Sequence, residues 1–177
     1  MNSYTQKFIE KHIKLIDKDD FKTLYEESLS WEEFYEGDFT PILTKTLLEA
    51  NINPLDYLDY IPSHYMYEED ITEFEIPEHI KRIEDSAFEY CDKLIKITIP
   101  YNVDEIGNFV FSNCFNIVKL KIDNPFLNCG VGAFEKFYSI IEFGGTYEEW
   151  EQFKEINALT DYIETNRLIC IDKVIAK

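Results

Sequence analysis

The residues of this chain that could do chemistry are four cysteines, three histidines and 35 carboxylates, and their spacing argues against most of the reactions they could support. No two of Cys91, Cys114, Cys129 and Cys170 are separated by two residues, so neither a zinc knuckle nor a thioredoxin-type redox pair is spelled out. His12, His64 and His79 form no HxxxH or HExxH pattern and adjoin no serine or cysteine motif, so no nucleophile–base arrangement is indicated. Gly144-Gly145-Thr146 lacks the spacing and lysine of a phosphate-binding loop. Asp17, Asp19 and Asp20 start like a calcium loop, but no glycine stands at the sixth position and no glutamate at the twelfth. Acid pairs such as Glu68-Glu69 are commonplace in so acidic a chain and do not single out a general acid or base. The expectation is a chain with no catalytic residues, no cofactor and no metal.

The carboxylates matter more as a surface. Seventeen Lys and Arg against 35 Asp and Glu leave a net charge of −18. Binding to a phosphate backbone requires cations that release counterions, and anionic membrane surfaces also select for basic segments. Direct nucleic-acid and membrane partners are therefore disfavoured, whereas a basic protein would be attracted and its encounter accelerated. Between Lys45 and Lys81 there is no Lys or Arg, and Asp56, Asp59, Glu68, Glu69, Asp70, Glu73 and Glu75 are interleaved there with Tyr57, Tyr60, Tyr65 and Tyr67. Tyrosine supplies contact area at low entropic cost. This stretch is the first candidate partner-binding surface. A second acidic run, Glu26 to Asp38, reads equally well as a solvated face. No run approaches the roughly 18 apolar residues of a membrane helix. The first residues lack the apolar stretch of a signal peptide, so the expected compartment is the cytoplasm, where cysteines stay reduced.

The elements that must position these residues follow from an internal repeat. Adding 23 to Ile76, Ile80, Ile83, Ala87, Phe88, Cys91, Leu94 and Ile97 gives Ile99, Val103, Ile106, Val110, Phe111, Cys114, Ile117 and Leu120. A further step reaches Phe126, Cys129, Ala133, Phe134, Phe137, Ile140 and Phe143, a worn third copy. Within each unit, Leu94, Ile97 and Ile99 have strand spacing with Lys96 and Thr98 outward. Pro100 ends the pairing. Val110, Phe111 and Cys114 then plug the back of the coil. One coil cannot bury its own apolar face, so the units must stack and align equivalent residues in ladders. The expected outward ladders are Glu73, Lys96, Lys119, Glu142; Glu75, Thr98, Lys121; and Thr72, Ile95, Val118, Ile141. Lys96, Thr98, Lys119 and Lys121 complete the candidate partner-binding set. Cys91 and Cys114 fall at equivalent positions and read as small buried hydrophobes.

The unit IPEHIKRIEDSAFEYCDKLIKITIP resembles the BspA-like leucine-rich repeat of bacterial and phage proteins. The segment from Phe143 to Trp150 is similar to the GTxxEW piece that closes such arrays, and Ile169 to Asp172 to the final strand of that closure. The resemblance covers about residues 70–175. It implies a ligand-binding scaffold with no shared catalytic residues.

The expected fold is α+β: a helical N-terminal cap at 1–69, three 23-residue repeats at 70–145, and a C-terminal cap at 146–177. The cap helices are placed on Phe8, Ile9, Ile13 and Ile16; on Phe21, Leu24 and Tyr25; on Trp31, Phe34 and Tyr35; and on Ile42, Leu43, Leu47 and Leu48. Asn53-Pro54 marks a turn. The C-terminal cap is expected to hold one helix near Thr146–Asn157 and a closing strand near Arg167–Ile175. The expected function is protein–protein interaction through an acidic surface, with a basic protein as partner. Its sharper form is an inhibitor that mimics nucleic-acid charge, acting in the host cytoplasm if phage-encoded. The alternative is a structural subunit of a larger assembly.

Overall fold

A computed structural model describes residues 21–23, 25–26, 44–45, 47–49, 51–135, 137–159 and 163–176. The chain divides into two compact units, Met1–Asp59 and Tyr60–Lys177. In the first, residues 21–23, 25–26, 44–45 and 47–49 are helical. Phe21, Tyr25 and Leu47 are buried there, on the stripes that helical spacing assigns to them, whereas Leu48 is exposed. Phe21 stacks on Tyr57 at 4.4 Å, and the Tyr25 and Thr44 hydroxyls lie 3.4 Å apart. Asn53-Pro54 opens a single 3-10 turn, Pro54–Asp56, in which the Asn53 side chain accepts from the Leu55 N–H. The helices assigned to Phe8–Ile16 and Trp31–Tyr35, and the positions Leu24, Ile42 and Leu43, lie outside the described residues.

The second unit is a solenoid of parallel coils. Its elements are β1 (Tyr60–Ile61), β2 (Arg82–Ile83), β3 (Lys96–Ile99), β4 (Glu105–Ile106), β5 (Lys119–Ile122), β6 (Asn128–Cys129), β7 (Phe137–Phe143), α1 (Tyr147–Ile156), β8 (Ile163–Ile169) and β9 (Val174–Ala176). One sheet runs β1-β2-β4-β6 and the other β3-β5-β7-β8-β9. In β3 the alternation of Lys96, Ile97, Thr98 and Ile99 places the two isoleucines in the core and the other two outside, as a pleated strand requires. Ile97, Leu120 and Ile141 form one inner ladder and Ile99, Ile122 and Phe143 the next. Phe88, Phe111 and Phe134 stack on the far side, with centroids 5.3 and 5.8 Å apart and rings within 7° of parallel. Each of these phenylalanines is fully buried, which stabilises the fold by roughly 1.5–3 kcal/mol per ring.

Four strands in the short sheet mean four coils, starting at β1, β2, β4 and β6, one more than the three expected. The ladder begins at Tyr60, upstream of Asp70. The backbone shows the extra coil clearly. His64, Ser86, Phe109 and Gly132 all have left-handed φ of 55–66°, as do Glu68, Tyr90 and Asn113 at 58–62°. Each set holds one position of successive coils. In coil one the His64 N–H donates to Asp85 O, as that of Ser86 does to Asn108 O in coil two. His64 thus aligns with Ser86 at a spacing of 22, and Tyr65 with Ala87.

On entering and leaving the last coil the chain departs from strict spacing in two places. Leu127, not Phe126, fills the slot of Val103; Phe126 is 76% exposed, in the turn that follows β5. Downstream, Lys119 pairs with Ile140 and Lys121 with Glu142, so two residues are missing relative to the period. Consequently the expected ladder Glu73–Lys96–Lys119 continues to Ile140, not Glu142, and Ile141 is buried in the core rather than exposed beside Val118.

The helix expected around Thr146–Asn157 is α1. Thr146 caps it and exchanges bonds with Glu149 in a capping box. Its Trp150 and Phe153 rings pack on Phe143, at 5.2 and 5.3 Å. Of the closing strand expected near Arg167–Ile175, residues 167–169 and 174–175 are extended and residues 170–173 form a turn between them. β8 ends at Ile169, the Cys170 N–H donates to Lys173 O, and β9 returns antiparallel. That turn sits on the start of α1, where Asp172 Oδ1 accepts from the Tyr147 N–H at 2.8 Å and satisfies one of the helix's open donors.

Candidate protein-interaction surface

The solenoid exposes its chemistry on the outward positions of its strands and turns, so the candidate residues can be placed by element. Glu73 forms an isolated parallel bridge with Lys96. Their side chains pair at 2.7 Å while both stay largely exposed. Hydrogen bonding between them lowers the Glu73 carboxyl below its usual range and raises the Lys96 ammonium above its own. One coil on, Lys119 reaches diagonally to Glu142 at 2.9 Å, and Lys121 meets Asp123, just past the end of its own strand, at 2.8 Å. Asp70 pairs with Lys93. The lysines of this face are thus matched by carboxylates, chiefly across coils. Thr98 is exposed between Lys96 and the Pro100 turn.

The acidic, tyrosine-rich stretch is divided between the two units, and part of it is buried. Asp56, Tyr57 and Asp59 belong to the first unit, where Asp59 pairs with Lys22 at 3.0 Å. In the second unit Tyr60 and Tyr65 are each only 2% exposed, which removes them from any contact surface. Tyr60 starts β1 and lies under the Arg82 guanidinium, 4.5 Å from its ring centre. Tyr65 occupies the inner slot of Ala87 and meets Phe74 edge-on at 6.2 Å. Interleaving with acids looks like a surface pattern, but Tyr65 falls on an inward position of the coil, and Tyr60, in register with the exposed Arg82 and Glu105, is covered by the Arg82 side chain. Tyr67 is half-buried with its ring against Tyr90 at 5.6 Å. Burial first, and then the Glu68 and Glu89 carboxylates, push its hydroxyl pKa up. Glu68, Asp70, Glu73 and Glu75 are exposed and Glu69 is half-buried.

The cysteines are structural in their geometry. All four are free. Cys91 Sγ donates to Met66 O at 2.9 Å and Cys114 Sγ to Phe88 O at 3.0 Å, so each thiol joins its coil to the one before. Burial pushes the Cys91 thiol up to about 12 and raises Cys114 and Cys129 as well, leaving them protonated and poorly nucleophilic. Among the described residues no cluster of His, Cys, Asp and Glu is placed to hold a metal, and no helix is long and apolar enough to cross a membrane.

Sequence reasoning missed one feature. Beyond the Glu73–Lys96 bridge, residues 74–76 form no strand with β3, although every later coil pairs there over at least four residues. A cleft of about 510 Å³ opens between residues 73–78 and β3. The 23-residue period hides it, because the period predicts the same pairing in every coil.

A family model described as BspA type Leucine rich repeat region (6 copies) matches residues 59–162, a span that starts at the head of coil one and ends after α1. No curated protein and no solved structure matches the chain. Repeats of this kind are typically non-catalytic and generally mediate protein interaction. The period, the stacked coils and a match over more than half of the sequence agree, and the chain belongs to the BspA-type leucine-rich-repeat family.

Proposed function

We propose that this chain is a non-catalytic interaction module whose acidic surface engages a basic protein. One observation carries the reading. The lysines on the outer face of the longer sheet, Lys96, Lys119 and Lys121, are engaged by Glu73, Glu142 and Asp123, while Glu68, Glu75, Glu78, Asp85 and Asp92 add exposed negative charge on coils one and two. The net charge of −18 would speed encounter with a cationic partner, and the ordered repeats would supply a rigid platform for it. In the sharper form of this reading, the chain competes with nucleic acid for the basic face of its partner.

A tagged copy of the chain tests this by capture at low and high salt, with the bound proteins identified by mass spectrometry. Lys- and Arg-rich proteins should be retained at low salt and released at high salt. Joint neutralisation of Glu68, Glu69, Asp70, Glu73 and Glu75 to their amides should abolish that capture. Undiminished capture by the amide variant would refute the acidic-surface reading. A defined oligomer of the chain with no heterologous partner would favour the assembly-subunit alternative.

A further inference from the structure

The open flank of the longer sheet identifies the part of a partner that fits it. The cleft between residues 73–78 and β3 has an apolar floor of Phe74, Ile76, Ile97 and Pro100, of which the last three are buried. Its rim is acidic. Glu73 is engaged by Lys96, Glu78 accepts from the Asn102 amide and meets Lys121 only as a weaker, longer-range charge, and among the described residues Glu75 has no ion-pair partner. Both are exposed. An apolar floor beneath a carboxylate rim matches a side chain with an aliphatic stem and a cationic head, as in Lys and Arg. The coil-one flank of β3 also lacks the neighbouring strand that β5 supplies on its other side, which suits an extended backbone.

We propose that this cleft receives an extended Lys- or Arg-bearing segment of a partner protein, added alongside β3 with its cationic heads on Glu75 and Glu78. The proposal rests on the reading of the chain as a binder of basic proteins and narrows it to one place and one peptide geometry.

Fluorescence anisotropy with two labelled nine-residue peptides tests it. One alternates Lys and Val, and the other alternates Lys and Pro, keeping the charge but losing the backbone donors at every second residue. The Lys/Val peptide should bind the full chain and the Lys/Pro peptide should bind at least about fivefold more weakly. Glu75→Gln with Glu78→Gln should weaken the Lys/Val peptide about five- to tenfold. Thr98→Arg, which places a cation of the chain's own in the cleft, should block it. Glu148→Gln with Glu155→Gln, an equal loss of charge on α1, should leave binding unchanged. Equal weakening by the two double variants would reduce the effect to diffuse charge attraction and overturn the proposal, as would equal affinity for the two peptides. Absence of peptide binding while the chain still captures basic proteins in a salt-sensitive way would reject the cleft and leave the broader function standing. Loss of both would reject the two together.

Discussion

The inner positions of coils two and three keep a spacing of 23 residues from Ile83 to Leu120, and the chain from Leu127 into coil four does not. The two inner coils each face a copy of themselves, so one residue pattern satisfies both neighbours. Their rings stack nearly parallel, and a thiol of each donates to a carbonyl of the coil before. Coil four faces a helix and a hairpin instead. The chain gains a residue before Leu127, just ahead of coil four, loses two before Ile141, and puts Gly132 where coil three has Phe109. The period belongs to self-packing and is relaxed where self-packing stops.

The comparison can be broken most severely in the middle of the stack. Phe111→Ala removes a ring that touches both Phe88 and Phe134 and should cost about 3–5 kcal/mol in urea unfolding. A loss under about 1 kcal/mol would mean that the stack is not what joins the coils.

At the boundary the decisive residue is Asn157. Its Oδ1 accepts from the Cys129 N–H at 2.6 Å, and its Nδ2 donates to Leu127 O at 3.2 Å and Phe153 O at 3.0 Å. One side chain thereby takes the place of the next strand beside β6. Asn157→Ala should cost about 1–3 kcal/mol, since it leaves polar groups of coil four unmatched. Asn157→Asp should recover part of that by keeping the acceptor. If Asp and Ala are equally damaging, the bond to Cys129 is unimportant.

The smallest effect concerns the thiols of the regular coils. The folded chain holds Cys91 near 12 against an ordinary value of 9.0. A raised pKa gives a contribution that is complete below the unfolded value and disappears as pH climbs through the folded one. Stability should therefore decline between pH 9 and about 12, by about 1 kcal/mol at pH 10 from this group. Cys91→Ser keeps a donor for Met66 O without ionising, so its stability should fall less steeply with alkaline pH. Parallel curves for the two proteins would show that Cys91 ionisation plays no part.

Much of the fold was legible because apolar residues on a stacked coil recur at a fixed interval. The strands at Lys96 and Lys119, the phenylalanine stack and the α1 helix could all be placed from the sequence. Coil one was not legible, since it uses Tyr60, Tyr65 and Met66 where later coils use smaller or different residues, and its spacing is one residue short. Its identity lies in backbone φ values and cross-coil hydrogen bonds, which side-chain types do not record. The candidate site was legible in charge but not in geometry. Glu73, Glu75, Lys96 and Thr98 hold the exposed positions that the period assigns, but the cleft beside them does not follow from it; Tyr65 turns inward at the slot of Ala87, whereas Tyr60 shares the register of the exposed Arg82 and is buried beneath its guanidinium.

The repeated left-handed residues also set how the solenoid would bear load. Each coil is tied to the next by the same short set of cross-coil bonds, from His64 to Asp85 in the first interval to Phe109 and Val131 in the third. Tension along the stack would meet those sets one after another and peel coils away singly, at a nearly constant force. Tension across it would shear the ladders of the longer sheet together. A solenoid of this kind is compliant in one direction and stiff in the other.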